Sequence, residues 1–195
     1  RSDADAVRNQ LIQSARVTAS SDENLFSSAE QILRAVGNIA DVRDTKPNCD
    51  ALLADALIGV RYFSGLSRID ANGKVVCSAT PPAKGMSVAD RAVFHAARTS
   101  PNMVVSEQLV SRTTGQPVIG SMLAIRDPGG AFDGVVSIAL DVRWIDYLLR
   151  ASALPPGAVA MVFDRTGAVI SANDMAVAHA IVPTVLGKGV GDGAV

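Results

Sequence analysis

The stretch GLSRIDANGKVVCSA, residues 65–79, decides how this chain is read. Short runs rich in apolar residues flank Asp70-Ala71-Asn72-Gly73, and Asn-Gly favours the tight turn of a β-hairpin. Upstream of it apolar residues recur at three- and four-residue intervals; here the period changes, so the hairpin marks the passage from helix to sheet. It also carries Cys77, one of only two cysteines. The other, Cys49, follows Pro47 at the end of the helical stretch.

Working outward, Val7, Leu11, Leu25, Ala29, Ile32, Val36 and Ile39 predict a long helix over residues 1–45, weakened around TASSDEN and ended by Pro47. CDALLADAL (49–57) predicts a second, short helix with Asp50 near its start. After the hairpin, SVADRAVFHAARTS (87–100) reads as a helix N-capped by Ser87 and closed by Pro101. Three strands follow, NMVVSEQLVSR, QPVIGSMLAIR and FDGVVSIAL, joined at TTG and DPGG. DVRWIDYLLRAS is an amphipathic helix, and LPPG punctuates the chain after it. AVAMVFDRTGAVISA (158–172) then repeats the first hairpin, with the same Asp-x-x-Gly turn. The echo suggests a second module starting near residue 155.

This order predicts an α+β fold. A long N-terminal helix packs on a PAS-like antiparallel five-stranded sheet, the helix at 87–100 covers the open face over a small pocket, and a second smaller lobe begins. The expected domains are 1–46, the long helix; 47–153, the sensor lobe; and 154–195, a partial or reduced second lobe.

Composition narrows function. With 48% hydrophobic and 19% charged residues the chain can build a core. A net charge of −1 and 4% aromatics argue against nucleic acid, which needs clustered Lys and Arg. No run approaches the roughly 20 apolar residues of a membrane span. The ends, RSDADAVRNQ and GKGVGDGAV, read as those of a domain from a longer protein. GKGVGDG lacks the GxxxxGK[ST] pattern of a phosphate loop and reads as a linker. His95 and His179 are isolated, and there is no GxSxG, HExxH or CxxC, so neither a metal nor a cofactor is expected. The two cysteines alone leave a disulfide and two buried thiols equally open.

Several segments together resemble the Cache domain, an extracytoplasmic sensor module of bacterial receptors, in its double-Cache form. They are CDALLADAL with GLSRIDANGKVVCSA, then DRAVFHAA, then TTGQPVIGSMLAIRDPGGAFDGVVSIALDVRWIDYLL, and last LPPGAVAMVFDRTGAVIS. The resemblance implies a periplasmic domain of a membrane-anchored histidine kinase, diguanylate cyclase or chemoreceptor, binding a small molecule and dimerising through the N-terminal helix. It implies a Cys49–Cys77 disulfide, which by the chain-entropy model would contribute roughly 3–4 kcal/mol. It puts the DR of Asp90-Arg91 beside the ligand, where Arg91 could grip a carboxylate in a bidentate pair; the plain alternative is that Asp90 caps a helical turn and Arg91 is solvated. Phe94 belongs to the same segment, with Val93 where the family has an aromatic. Alternation on strands adds Ser106, Gln108 and Ser121 as pocket candidates, with Tyr62 and Ser64 on the first strand. Amino-acid-binding members carry an Asp where this chain has Ala139, and Asp141 lies two residues on; the departure favours an organic acid or other small polar metabolite. The rival readings are a secreted or periplasmic α+β enzyme, with His95 and Asp90 as its only cheap acid–base pair, and a ligand-free dimerisation module.

Overall fold

The computed structural model describes residues 24–151, 154–164 and 166–186. Residues Ser27–Asp141 form one compact unit and Val142 begins another. The first unit takes in α1 (24–37) from Ser27 onward, then α2 (Ala40–Arg43) and α3 (Cys49–Asp55). Then come β1 (Phe63–Asp70), β2 (Val75–Ser78), α4 (Ala92–Thr99), β3 (Val104–Val110), β4 (Pro117–Arg126) and β5 (Phe132–Asp141). The strands form one antiparallel sheet in the order β2-β1-β5-β4-β3. This is the expected α+β architecture, a helix-flanked five-stranded sheet.

The helices differ from expectation at their ends. Residues 1–23 of the expected long helix lie outside the described residues, and α1 stops at residue 37 instead of 45. Gly37 packs where a Cβ would meet the Val136 side chain at 3.4 Å. Just beyond, the Asn38 side chain donates to the Arg34 carbonyl at 2.9 Å, filling an acceptor left open at the helix end. The expected helix at 87–100 starts only at Ala92, and Ser87 is not its cap. Ser87 instead bridges Lys74, and Val88 donates to the Gly73 carbonyl at 2.8 Å. Backbone groups committed to the sheet cannot also open a helix.

Register explains the two faces. On one face the cross-strand rows are Gly65-Ala139-Gly120, then Ser67-Ser137-Met122, then Ile69-Val135-Ala124. The α4 residues Val93, Phe94 and Ala97 pack on the far end of these rows with Ile69, Val75, Met122 and Val135. On the other face the rows are Leu66-Ile138-Ser121 and Arg68-Val136-Leu123, and Cys77 stands opposite Arg68. Here α3 is tied down by the Cys49–Cys77 disulfide, with a Cα–Cα distance of 5.9 Å. Asp50 reinforces the junction by accepting from the Ser78 amide at 2.8 Å and pairing with Lys84 at 2.6 Å. Lys84, then the amide, hold the Asp50 carboxyl below its usual range.

Arg68 is buried at 2% exposure on this second face. It donates to the Ile69 carbonyl and pairs with Asp133 at 2.8 Å. Gly134 (φ +115°) has no room for a Cβ, which would fall 2.7 Å from the Asp70 carbonyl carbon and against the Arg68 guanidinium.

The Asp-x-x-Gly echo is reproduced bond for bond. In the first hairpin Asp70 Oδ1 accepts from the Asn72 and Lys74 amides, each at 2.9 Å. In the second, Asp164 Oδ1 accepts from Thr166 at 2.8 Å and Ala168 at 3.0 Å. The second hairpin joins β6 (Met161–Phe163) to β7 (Val169–Ala172) in a two-stranded sheet. Within that unit α5 (Val142–Ala151) buries Val142, Ile145 and Leu149 and packs on β7, where Ser171 bonds Asp146. The last helix, α6 (Met175–Leu186), buries Ala178.

Candidate ligand cavity and its relatives

The small-residue rows leave a hollow under α4. One compartment of about 130 Å³ has Gly120, Met122, Ser67, Ser137 and Ala139 as its floor. Its walls are Val88, Arg91 and Val93 on one side and Leu109, Val110, Ser111, Arg112 and Thr113 on the other. A second, of about 90 Å³, shares Ser67, Ala83, Ser111, Thr113, Ser137 and Ala139 and adds Ser64, Gly65, Ser78 and Thr80. The larger is close to the ~150 Å³ cavity known to admit benzene and is likewise mostly apolar, with the hydroxyls of Ser67, Ser111, Thr113 and Ser137 set among aliphatic side chains.

Several hydroxyls are already oriented. Ser67 and Ser78 share a hydrogen bond at 3.0 Å, and Ser111 accepts from the Thr113 and Thr114 amides at 3.3 and 3.2 Å. Two guanidiniums and no carboxylate line the compartments. Arg112 is clasped by Asp90 across the mouth, with Nη1–Oδ1 at 2.9 Å and Nη2–Oδ2 at 2.5 Å, and Nη1 also donates to the Ser87 carbonyl. The Arg112 guanidinium pulls the Asp90 carboxyl down to about 2, and Asp90 raises the pKa of Arg112 in return. Arg91 makes one bond, Nη2 to the Val110 carbonyl at 3.1 Å, and no ion pair among the described residues.

The candidates named from sequence divide as follows. Arg91 lines the larger compartment and Ser64 the smaller. Asp90 grips Arg112 outside the lining. Phe94 is buried beneath α4, edge-on to Phe132 with centroids 5.9 Å apart. Simple alternation fails on β3, because the register shifts between Val105 and Gln108. A one-residue bulge reverses which side chains share a face. Gln108 is exposed, and the Ser106 hydroxyl accepts from the Gly120 amide at 2.8 Å. Ser121 is buried on the opposite face with Leu66 and Ile138. Tyr62 precedes β1, its carbonyl accepting from the Asp141 amide at 3.0 Å, and Asp141 ends β5 beyond the cavity. Reading by sequence missed Arg112, Ser111, Thr113, Ser67 and Ser137. The last two were within reach, since Gly65-x-Ser67 and Ser137-x-Ala139 alternate small residues with large ones.

The catalytic alternative loses its pair: Asp90 engages Arg112, and His95 is exposed with its ring edge-on to Phe94. No group of three or more His, Cys, Asp or Glu suited to a metal occurs among the described residues.

This arrangement, a helix-flanked five-stranded antiparallel sheet with a cavity on one face and a smaller hairpin module later in the chain, is shared with ligand-binding domains of bacterial chemoreceptors. The ligand-binding domain of the Campylobacter jejuni chemoreceptor Tlp3, in complex with 4-methylisoleucine, shares it with a TM-score of 0.72 and 17% identity, over 89% of this chain and 72% of that one. The ligand-binding domain of the Pseudomonas fluorescens chemoreceptor CtaA, in complex with L-serine, gives a TM-score of 0.71 and 22% identity over 89% and 75%. In sequence the chain is similar to sporulation kinase D of Bacillus subtilis, 29% identical over 114 residues. That match takes in 58% of this chain and spans 22% of the kinase. No family model matches.

Proposed function

We propose that this chain is the extracytoplasmic sensing domain of a membrane-anchored signalling receptor, a histidine kinase, diguanylate cyclase or chemoreceptor, and that it binds a small organic acid or similar polar metabolite under α4. The domain itself is not catalytic. The observation that carries the ligand class is the charge of the lining: Arg91 lines the cavity with no ion pair among the described residues, Arg112 is already matched by Asp90, and no acid lines either compartment. An α-amino acid needs a partner for its ammonium as well as its carboxylate. Ala139, where the resemblance implies an Asp in amino-acid binders, contributes a methyl group to both compartments. Arg91 has the free donors for a carboxylate, and the hydroxyls of Ser67, Ser137 and Ser64 can take its polar substituents.

Signalling follows from differential binding. A ligand shifts the domain between two arrangements only by binding one more tightly. We infer that dimerisation runs through the N-terminal helical segment, and that a partial or reduced second lobe follows the sensor lobe.

A thermal-shift screen of organic acids, amino acids and amines tests the reading, because a ligand bound only by the folded state raises Tm. Organic acids are expected to raise it and amines are not. Arg91→Gln should abolish the rise, and Ala139→Asp should move preference toward ammonium-bearing compounds. No shift from any compound would favour the ligand-free dimerisation module.

A further inference from the structure

The sheet's other face holds a second cavity, larger than either compartment under α4. Its volume is about 360 Å³, within the ~300–1,000 Å³ usual for small-molecule sites. The floor is apolar, from Leu123, Ile125 and Val136. Three arginines stand round it, Arg34 from α1, Arg43 from α2 and Arg126 from the end of β4, and no acid lines it. All of its residues belong to the Ser27–Asp141 unit.

The three cations are held differently. Arg34 is neutralised by Glu30 at 2.6 Å. Arg43 and Arg126 are half-buried, and their hydrogen bonds go to backbone carbonyls alone. Arg43 donates to the carbonyls of Arg126 at 2.6 Å and Gly37 at 3.4 Å, and Arg126 to those of Arg98 at 3.1 Å and Gly130 at 3.5 Å. Carbonyls orient a guanidinium but leave its charge uncancelled. Neither arginine has a carboxylate partner among the described residues. Asp133, on the strand β5 that carries Val136, is engaged by Arg68. Burial disfavours the Arg68 cation, Asp133 and Asp70 favour it, and Arg43 adds a smaller repulsion. Partial burial strengthens that repulsion relative to water.

We propose that this cavity is a binding site for a small organic dianion, such as a phosphate monoester or a dicarboxylate, with Arg43 and Arg126 taking its charged oxygens and the Leu123-Ile125-Val136 floor taking its carbon skeleton. An anion here cancels charge that the fold leaves unmatched, and two planar guanidiniums suit oxyanions bidentately. The site is separate from the cavity under α4 and stands whether or not that one binds a ligand. It joins the end of α1 to β4, so occupancy would tie the N-terminal helix to the sheet.

The test uses the intact chain with phenyl phosphate and succinate as probes, in parallel with sodium chloride at matched ionic strength. Calorimetry should show, for at least one probe and not for chloride, a saturable site that persists in Arg91→Gln, where the cavity under α4 has lost its cation, and which probe binds there separates the phosphate source from the dicarboxylate source. Arg43→Gln and Arg126→Gln should each weaken binding at that site about tenfold or more, as loss of a charge-assisted contact does. Arginine labelling with phenylglyoxal, read by peptide mass spectrometry, needs no variant and so does not depend on one folding. The bound probe should protect Arg43 and Arg126 and leave Arg98 labelled. No saturable binding by either probe, equal effects of chloride and dianion, or unchanged labelling of Arg43 and Arg126 would each overturn the assignment. Loss of binding in Arg91→Gln alone would place the probe under α4 instead.

Discussion

The two faces of the five-stranded sheet are made by the same strands, yet neighbouring rows on them differ: one is filled by bulky side chains and the next, on the opposite face, is small enough to leave a hollow. Across β1, β5 and β4 the packed face reads Leu66, Ile138, Ser121, and the neighbouring row of the hollow face reads Gly65, Ala139, Gly120. Successive side chains on a strand point to opposite faces, so each strand builds both surfaces at once. The packed face is further held by the disulfide, by the Asp50–Lys84 pair and by buried Leu33 and Leu53. The hollow face keeps its helix at one end and closes its mouth with a polar clasp, Asp90 on Arg112.

The contrast is most directly broken on the packed side. Cys49→Ser, with Cys77→Ser to avoid a stray thiol, should lower stability by roughly 3–4 kcal/mol in denaturant titration and raise m, because the unfolded chain without the cross-link is more expanded. Ile138→Ala on the same face should cost about 2–5 kcal/mol, the range for emptying a buried site. Its strand neighbour Ala139→Leu adds volume where space exists, so it should cost less than about 1 kcal/mol while abolishing any ligand-induced rise in Tm. Equal stability losses at 138 and 139 would mean that the hollow is filled in solution and that the faces do not differ.

Gly73 offers a test of the hairpin that bounds the hollow. Its φ is +83°, and a Cβ would lie 2.7 Å from the Ala89 Cα. Gly73→Ala should therefore destabilise by more than 1 kcal/mol.

The smallest effect is expected at the clasp. Asp90 has its pKa lowered, so its contribution is complete above the ordinary carboxylate value near 4 and is lost as pH falls through about 2. The pair is exposed, and solvent screening keeps its weight in stability small. Carboxyl-carbon NMR should find Asp90 titrating near 2 in the native chain and near 4 in Arg112→Gln. A native value near 4 would show that the clasp is open in solution.

Much of this was legible in the residues. The change of period at the first hairpin, the turns at Asp70–Gly73 and Asp164–Gly167, and the meander of three strands are local signals, and they appear where they were expected. The two cysteines admitted one pairing, and the structure makes it. Arg91 and Ser64 were found as cavity residues, the first through resemblance and the second through strand alternation.

The remainder depended on contacts between residues far apart in the chain. The bulge between Val105 and Gln108 reverses parity on β3 without a glycine or proline to announce it. The Ser87–Lys74 bridge delays α4 by five residues because sheet pairing outweighs a local cap. Arg112 meets Asp90 22 positions away, and Arg43 meets the Arg126 carbonyl 83 positions away. Sequence by itself determined the elements and their order, since periodicity and turn chemistry act over a few residues. Tertiary structure alone decided which side chains surround each cavity, since that follows from strand register and from charges brought together only when the chain closes on itself.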